Sequence, residues 1–110
     1  MSIDEYIAGL PADQAAVAVT LRARLDAGLP DAEGRLWHGH PVWLRGSDPV
    51  AGFKAFPRWV TLLLWHGGEV TESTEALTAS ADGSRWSLKI ADPDDLDESA
   101  VDGWLRQLAG

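Results

Sequence analysis

The chain has 110 residues, which is long enough for one hydrophobic core and too short for two domains. Nine basic and seventeen acidic residues give it a formal net charge of −8. Because this charge repels phosphate backbones and anionic membranes, we expect neither a nucleic-acid nor a membrane partner. The chain contains no cysteine, which excludes disulfides and zinc–thiolate sites. Its acidic beginning, MSIDEYIAGL, is unlike a signal peptide and predicts a cytoplasmic protein.

The N-terminal part of the chain predicts two helices. Ser2 and Glu5 have the spacing of a capping box, which begins a short helix that ends before Pro11. A longer helix opens at Pro11 or Ala12, and its apolar residues recur at every fourth position, so that one stripe faces a core. We expect this helix to stop at Gly28 in a left-handed conformation.

After the second helix the apolar residues alternate with a period of two, as in strands. Residues 35–45 predict one strand at a sheet edge or with a bulge, because Gly39 and Pro41 interrupt it. Residues 69–83 are small and polar and predict a loop. Three further strands are expected over Val50–Phe56, Trp59–His66 and Arg85–Ile90.

The C-terminal segment predicts a third helix. Asp95 and Glu98 form the acidic equivalent of a capping box, and one apolar stripe follows them. Strands bracketed by helices are typical of an α+β fold. We therefore expect a two-layer sandwich in which the N- and C-terminal helices pack on one face of an antiparallel sheet of about four to six strands.

Four segments of the chain resemble the bacterial YdhG-like family, also called DUF1801. They are YIAGLPADQ, LRARLDAGLPDAEGRLWHGHPVW, PVAGFKAFPRWVTLLLW and DPDDLDESAVDGWLRQL, and the blocks HGHPVW and GFKAF…WVTL are the most specific. The resemblance implies a single YdhG-like domain over residues 1–110 with a fold similar to frataxin. It also implies a largely uncharacterised function, although some members are treated as intracellular iron chaperones.

His38 and His40 are candidate metal ligands. On one regular strand their side chains would project from the same face, with Cα atoms about 7 Å apart, and such a pair can chelate a transition metal. His66, at the end of a neighbouring predicted strand, is a candidate third ligand. The alternative is that His38 and His40 form hydrogen bonds with loop groups beside a bulge.

The acidic C-terminal helix offers a second candidate metal site. Asp95, Glu98 and Asp102 would form one exposed stripe of carboxylates, which could hold a ferrous ion or another hard cation. Iron is the one cofactor that the resemblance suggests. The alternative is structural, because the helix dipole favours acidic side chains at a helix start.

The aromatic residues suggest a binding surface. Trp37 and Trp43 would share the solvent-facing side of one strand, and exposed tryptophans often mark an interface with a protein partner or a second copy. A wider set of aromatic residues could instead line a concave pocket for an aromatic or acidic small molecule, with Lys54 or Arg58 at its mouth. The members of this set are Trp37, Trp43, Trp59, Trp65, Phe53 and Phe56. The third alternative is that most of these rings belong to the core.

No nucleophile elbow, phosphate-binding loop or dinucleotide fingerprint is present, so the sequence predicts no particular reaction. Three functional hypotheses follow. The favoured one is a small cytosolic binding or interaction module. The second is a frataxin-like iron-binding protein, and the third and weakest is an enzyme that acts in an aromatic cleft.

Overall fold

A computed structural model describes residues 1–65, 77–82 and 84–109 of the chain. Its sheet has six antiparallel strands in the order β1-β2-β3-β4-β6-β5. The strands are β1 (Glu33–Trp37), β2 (His40–Arg45), β3 (Asp48–Ala55), β4 (Val60–Trp65), β5 (Thr78–Ala79) and β6 (Arg85–Ile90). The helices are α1 (Ile3–Ala8), α2 (Ala12–Gly28) and α3 (Glu98–Ala109).

The helices pack on one face of the sheet, which confirms the predicted α+β two-layer sandwich. Leu21 and Leu25 of α2 and Leu105 of α3 belong to the same buried cluster as Phe53 and Leu62 of the sheet. None of the helices in the described residues has the length and apolar character that a membrane span requires.

The predicted helix signals hold at the N-terminus and differ in detail at Gly28. Ser2 and Glu5 form the expected capping box, with reciprocal backbone-to-side-chain hydrogen bonds of 3.0 and 3.1 Å. Gly28 is the last residue of α2 and is not left-handed. A Cβ at this position would lie 2.8 Å from Cβ of Leu105, so the glycine allows α3 to pack closely against α2.

The segment LWHGHPVW forms a hairpin, so the prediction of one strand over residues 35–45 was wrong, whereas the expected edge position is confirmed for β1. β1 and β2 pair directly, and only His38 and Gly39 connect them. Their φ angles of 53° and 86° fit the two-residue turns that match the twist of paired strands. The turn shifts the alternation by one residue, so Trp37 and Trp43 point to opposite faces of the sheet.

The expected irregularity lies instead between β2 and β3. The register shifts after Trp43, so that Val50 is an extra residue in β3 beside Ala51. Val50 and Ala51 are both buried in the core opposite Trp43. The bulge thus adds apolar volume to the helix-facing side of the sheet.

Two predictions near the C-terminus also change. Thr78–Ala79 pairs with β6, although residues 69–83 were expected to form a loop. Asp95 lies in a short 3-10 helix, Pro93–Asp95, and α3 starts later, where the Asp97 carboxylate accepts a hydrogen bond from the backbone N–H of Ala100. The capping box predicted for Asp95 and Glu98 was therefore wrong. His66 and residues 69–76 lie outside the described residues.

Candidate binding surface

The sheet face opposite the helices carries a mixed aromatic and cationic surface. Directly paired residues of an antiparallel sheet share a face, so the strand registers identify its members. We call this surface the open face, because no helix of the described residues packs on it. Its exposed or half-buried side chains are Glu33, Arg35, Trp37, His40, Lys54, Leu63, Trp65, Arg85, Ser87 and Lys89.

The basic residues of the two sides of the molecule differ in their partners. Those of α2 and of the helix-facing side of β2 pair with carboxylates, in the ion pairs Arg22–Asp4, Arg24–Glu98, Arg24–Asp102 and Arg45–Asp31. Arg106, in the last turn of α3, is at the helix end where the dipole favours a cation. The cations of the open face are Arg35, Lys54, Arg85 and Lys89. These four residues and the neighbouring Arg58 have no ion pair in the part of the chain that the structure describes.

Two of these cations lie over aromatic rings at the β3–β4 turn. Nζ of Lys54 is 5.4 Å from the ring centroid of Phe56, and Nζ of Lys89 is 4.6 Å from that of Trp59. Phe56 and Trp59 stack on each other with centroids 5.4 Å apart and an interplanar angle of 23°. These distances are in the range of cation–π attraction, so the turn presents two rings with an ammonium group beside each.

The turn that carries these rings is anchored to the helical layer. The buried side-chain amide of Gln14 in α2 donates hydrogen bonds to the backbone carbonyls of Phe56 and Trp59. The N–H of Phe56 also donates to the Trp59 carbonyl at 2.8 Å, and the Trp59 indole N–H donates to Oγ1 of Thr61 at 3.0 Å. The rings are thus held in place before any ligand binds, which lowers the entropic cost of binding.

A second aromatic cluster lies elsewhere on the open face. The rings of Trp37 and Trp65 meet edge to face, with centroids 6.1 Å apart and an angle of 79°. The His38 ring is 4.2 Å from that of Trp37, also edge to face. Trp37 and Trp65 are both half-buried, so each keeps part of its ring in contact with solvent.

His40 lies opposite Trp37 in the β1–β2 register. Burial lowers the pKa of its imidazole below the usual 6.5, and the nearby charge of Lys54 lowers it further. Its Nδ1 atom is buried and has no hydrogen-bond partner among the described residues. The neutral form of this side chain is therefore favoured near pH 7.

The structure does not bring the proposed metal ligands together. His38 lies in the hairpin turn and His40 on β2, so the premise that they share one face of a regular strand is wrong. Glu98 and Asp102 both bind the guanidinium of Arg24. Asp95 precedes α3 and cannot share a helical stripe with them. Residues 1–65, 77–82 and 84–109 contain no group of three His, Asp or Glu side chains that could hold a metal ion.

The predicted exposure of Trp43 was wrong. Trp43 is 0% exposed, and its ring lies 6.1 Å from that of the equally buried Phe53 beneath the helices. The aromatic residues therefore divide between the core and the open face, and they do not line one pocket. Of the predicted binding residues, Trp37 and Lys54 lie on the open face, and Arg58 is exposed in the β3–β4 turn.

Sequence reasoning missed the contribution of β6. Arg85 and Lys89 alternate with Trp86 and Ile90, so the sequence contained the signal that both cations point away from the core. That Lys89 lies over Trp59 and that Arg85 lies opposite Trp65 both depend on the pairing of β4 with β6, which alternation alone does not give.

Comparisons with protein-family models, curated proteins and solved structures find no match to this chain. The YdhG-like resemblance therefore stays a prediction.

Proposed function

We propose that this chain is a cytoplasmic, YdhG-like binding module that holds an acidic segment of a partner protein on the open face of its sheet. The observation that carries the proposal is the division of the cations. Arg22, Arg24 and Arg45 pair with carboxylates of the chain itself, whereas the open-face cations have no such partner in the described residues.

The surface suits an extended peptide that carries both carboxylates and apolar side chains. Lys54 and Lys89 can pair with carboxylates while their neighbouring rings, Phe56 and Trp59, contact aromatic or aliphatic side chains. Tryptophan and cations are both common among the residues that contribute most to protein–protein binding. The half-buried Trp37 and Trp65 extend this apolar contact area across the sheet.

Charge favours a protein segment over a nucleic acid as the partner. Domains that bind nucleic acids usually have an isoelectric point above about 9, and this chain has one near 4.6. The net charge of −8 repels a long phosphate backbone beyond the immediate patch. A short acidic segment interacts mainly with the patch itself, because salt screens the rest of the field over about 8 Å.

The iron-binding hypothesis gains no support from the geometry. Glu98 and Asp102 both pair with Arg24, which joins α2 to α3 and offsets part of their negative charge. We therefore put forward the binding module alone.

The proposal can be tested with a random glutamate–tyrosine copolymer as the probe, with tryptophan fluorescence as the readout. We expect saturable, salt-sensitive binding to the full chain, because the probe supplies both carboxylates and aromatic rings. The variant K54E/K89E reverses two open-face charges and should raise the Kd at least tenfold. This change corresponds to a loss of about 1.4 kcal/mol of binding free energy. Arg106→Glu reverses a charge on α3 and is the control that should bind normally.

Three outcomes would overturn the proposal. The first is equal loss of binding in K54E/K89E and Arg106→Glu, which would indicate a response to net charge alone. The second is tighter binding of a single-stranded oligonucleotide than of the copolymer, which would indicate a different class of partner. The third is binding of a lysine–tyrosine copolymer with the same affinity, which would make the cations irrelevant.

A further inference from the structure

The outer edge of β1 presents backbone groups that no other strand of the described chain uses. β1 is the end strand of the sheet. The two-residue turn makes Trp37 and His40 the hydrogen-bonded pair next to the loop, and Leu36 then faces Pro41, which has no N–H to donate. The N–H and C=O groups of Gly34 and Leu36 therefore point outward, away from β2.

Two charges of opposite sign flank Gly34 on this edge strand. Glu33 and Arg35 are both exposed on the open face, and neither has an ion pair in the residues that the structure describes. They are two positions apart, so they point the same way without facing each other.

We propose that two copies of this chain pair antiparallel through β1, with Gly34 opposite Gly34 of the second copy. Among two-fold registers, this one places Glu33 opposite Arg35 of the other copy, twice. Centring on Arg35 would oppose two arginines, and centring on Glu33 would oppose two glutamates. Centring on Leu36 would place Arg35 opposite Trp37 and leave Glu33 without a cation.

The backbone and the helical layer are both compatible with this register. Gly34 supplies the outward N–H and C=O groups that a hydrogen-bonded pair at the centre requires. The two-fold axis places both helical layers on the same side of the joined sheet. The start of α1 and the β1 edge at Gly34 and Leu36 line one pocket of about 270 Å³.

The dimer joins two six-stranded sheets into one, with the two open faces side by side. A pairing of five-residue strands buries an area at the low end for protein interfaces, below about 1,200 Å². We therefore expect reversible association that depends on concentration. This inference does not depend on the proposed acidic partner.

Charge reversal with sedimentation equilibrium tests the register. Glu33→Arg places an arginine opposite Arg35 at both contacts, and Arg35→Glu places a glutamate opposite Glu33. The dimer dissociation constant of each variant should therefore be at least about tenfold higher than that of the wild type. An equimolar mixture of the two variants places arginine opposite glutamate at both contacts again. We expect the mixture to form heterodimers although each variant alone is monomeric.

Amide hydrogen exchange gives a second readout that does not require a variant. The amides of Gly34 and Leu36 should gain protection as the protein concentration rises, whereas that of Arg35 should be protected throughout by β2. A monomer at all concentrations would overturn the proposal. So would a dimer that both charge reversals leave unchanged, or a mixture of the two variants that stays monomeric.

Discussion

The indole N–H of Trp43 donates a hydrogen bond to the carboxylate of Asp26, with 2.8 Å between Nε1 and Oδ1. This bond joins β2 to α2 across the two layers of the fold. It satisfies the one polar group of a ring that is otherwise buried among apolar side chains. Trp43 is thus a structural residue that fixes the helices above the sheet. The proposed binding residues lie on the open face, on the other side of the sheet.

The first prediction concerns this ring. We expect Trp43→Phe to lower the free energy of unfolding by about 1–3 kcal/mol, because it removes both packed volume and the hydrogen bond to Asp26. Urea denaturation followed by circular dichroism measures the loss. Trp65→Phe, on the open face, is the matched control and should cost less. If Trp65→Phe lowered the free energy of unfolding more than Trp43→Phe, the structural role would belong to Trp65 and the assignment to Trp43 would be wrong.

The hairpin explains why the sequence misplaced Trp43. Alternation along one continuous strand puts Trp37 and Trp43 on the same face. The hydrophobic pattern does not mark a turn at His38, whose φ angle is positive in the structure. Histidine adopts a positive φ more often than most residues, which is the one sequence signal for this turn. Once the turn is inserted, the same alternation places Trp43 in the core. The helices and the fold class were predictable because their signals are local: the capping box at Ser2, the apolar stripes and the order of elements.

The second prediction concerns the anchor of the β3–β4 turn. Gln14→Ala leaves the carbonyls of Phe56 and Trp59 without their side-chain donor at a half-buried site, and should lower the free energy of unfolding by about 1–3 kcal/mol. Because the turn loosens, binding of the glutamate–tyrosine copolymer should weaken as well. Gln107→Ala, on α3, is the control for loss of a glutamine and should leave copolymer binding intact. Normal binding by Gln14→Ala would mean that the rings need no anchor.

The third prediction is a dependence of stability on pH through His40. The pKa of His40 in the folded protein lies below its ordinary value of 6.5, so the unfolded chain takes up the proton first as the pH falls. The contribution of neutral His40 to stability is therefore complete above pH 6.5 and is lost progressively below it. Thermal unfolding between neutral and mildly acidic pH should show this loss, and His40→Asn should reduce it.

His38→Asn is the control for the pH experiment. Asparagine tolerates the positive φ at this turn position, so this variant should fold at least as well as the wild type and keep its pH dependence. If the pH dependence disappeared in His38→Asn and persisted in His40→Asn, the assignment to His40 would be wrong.

The fourth prediction separates the structural role of Glu98 and Asp102 from metal binding. Because both carboxylates bind Arg24 across α2 and α3, the variant E98Q/D102N should melt at a lower temperature than the wild type. Anaerobic calorimetry with ferrous iron should give the same heat for both proteins. Iron binding that the wild type shows and the variant lacks would restore the metal hypothesis for this helix.

The candidate surface was predictable only in part. Trp37 and Lys54 were named from local sequence, and both lie on the open face. Which cations lack a carboxylate partner depends on contacts between residues far apart in the chain, such as Arg24 with Glu98 and Asp102. Net charge and composition average over these contacts, so they hide the separation of charge between the two sides of the molecule.

The most direct test of the binding face follows the indole N–H signals of the tryptophans by nuclear magnetic resonance during titration with the glutamate–tyrosine copolymer. Trp37, Trp59 and Trp65 lie on or beside the open face, whereas Trp43 is buried beneath the helices and Trp104 is a buried residue of α3. If the open face binds, the signals of the first three should shift together with one affinity while the buried pair stays nearly fixed. Shifts confined to Trp43 and Trp104, with the other three unchanged, would contradict the account.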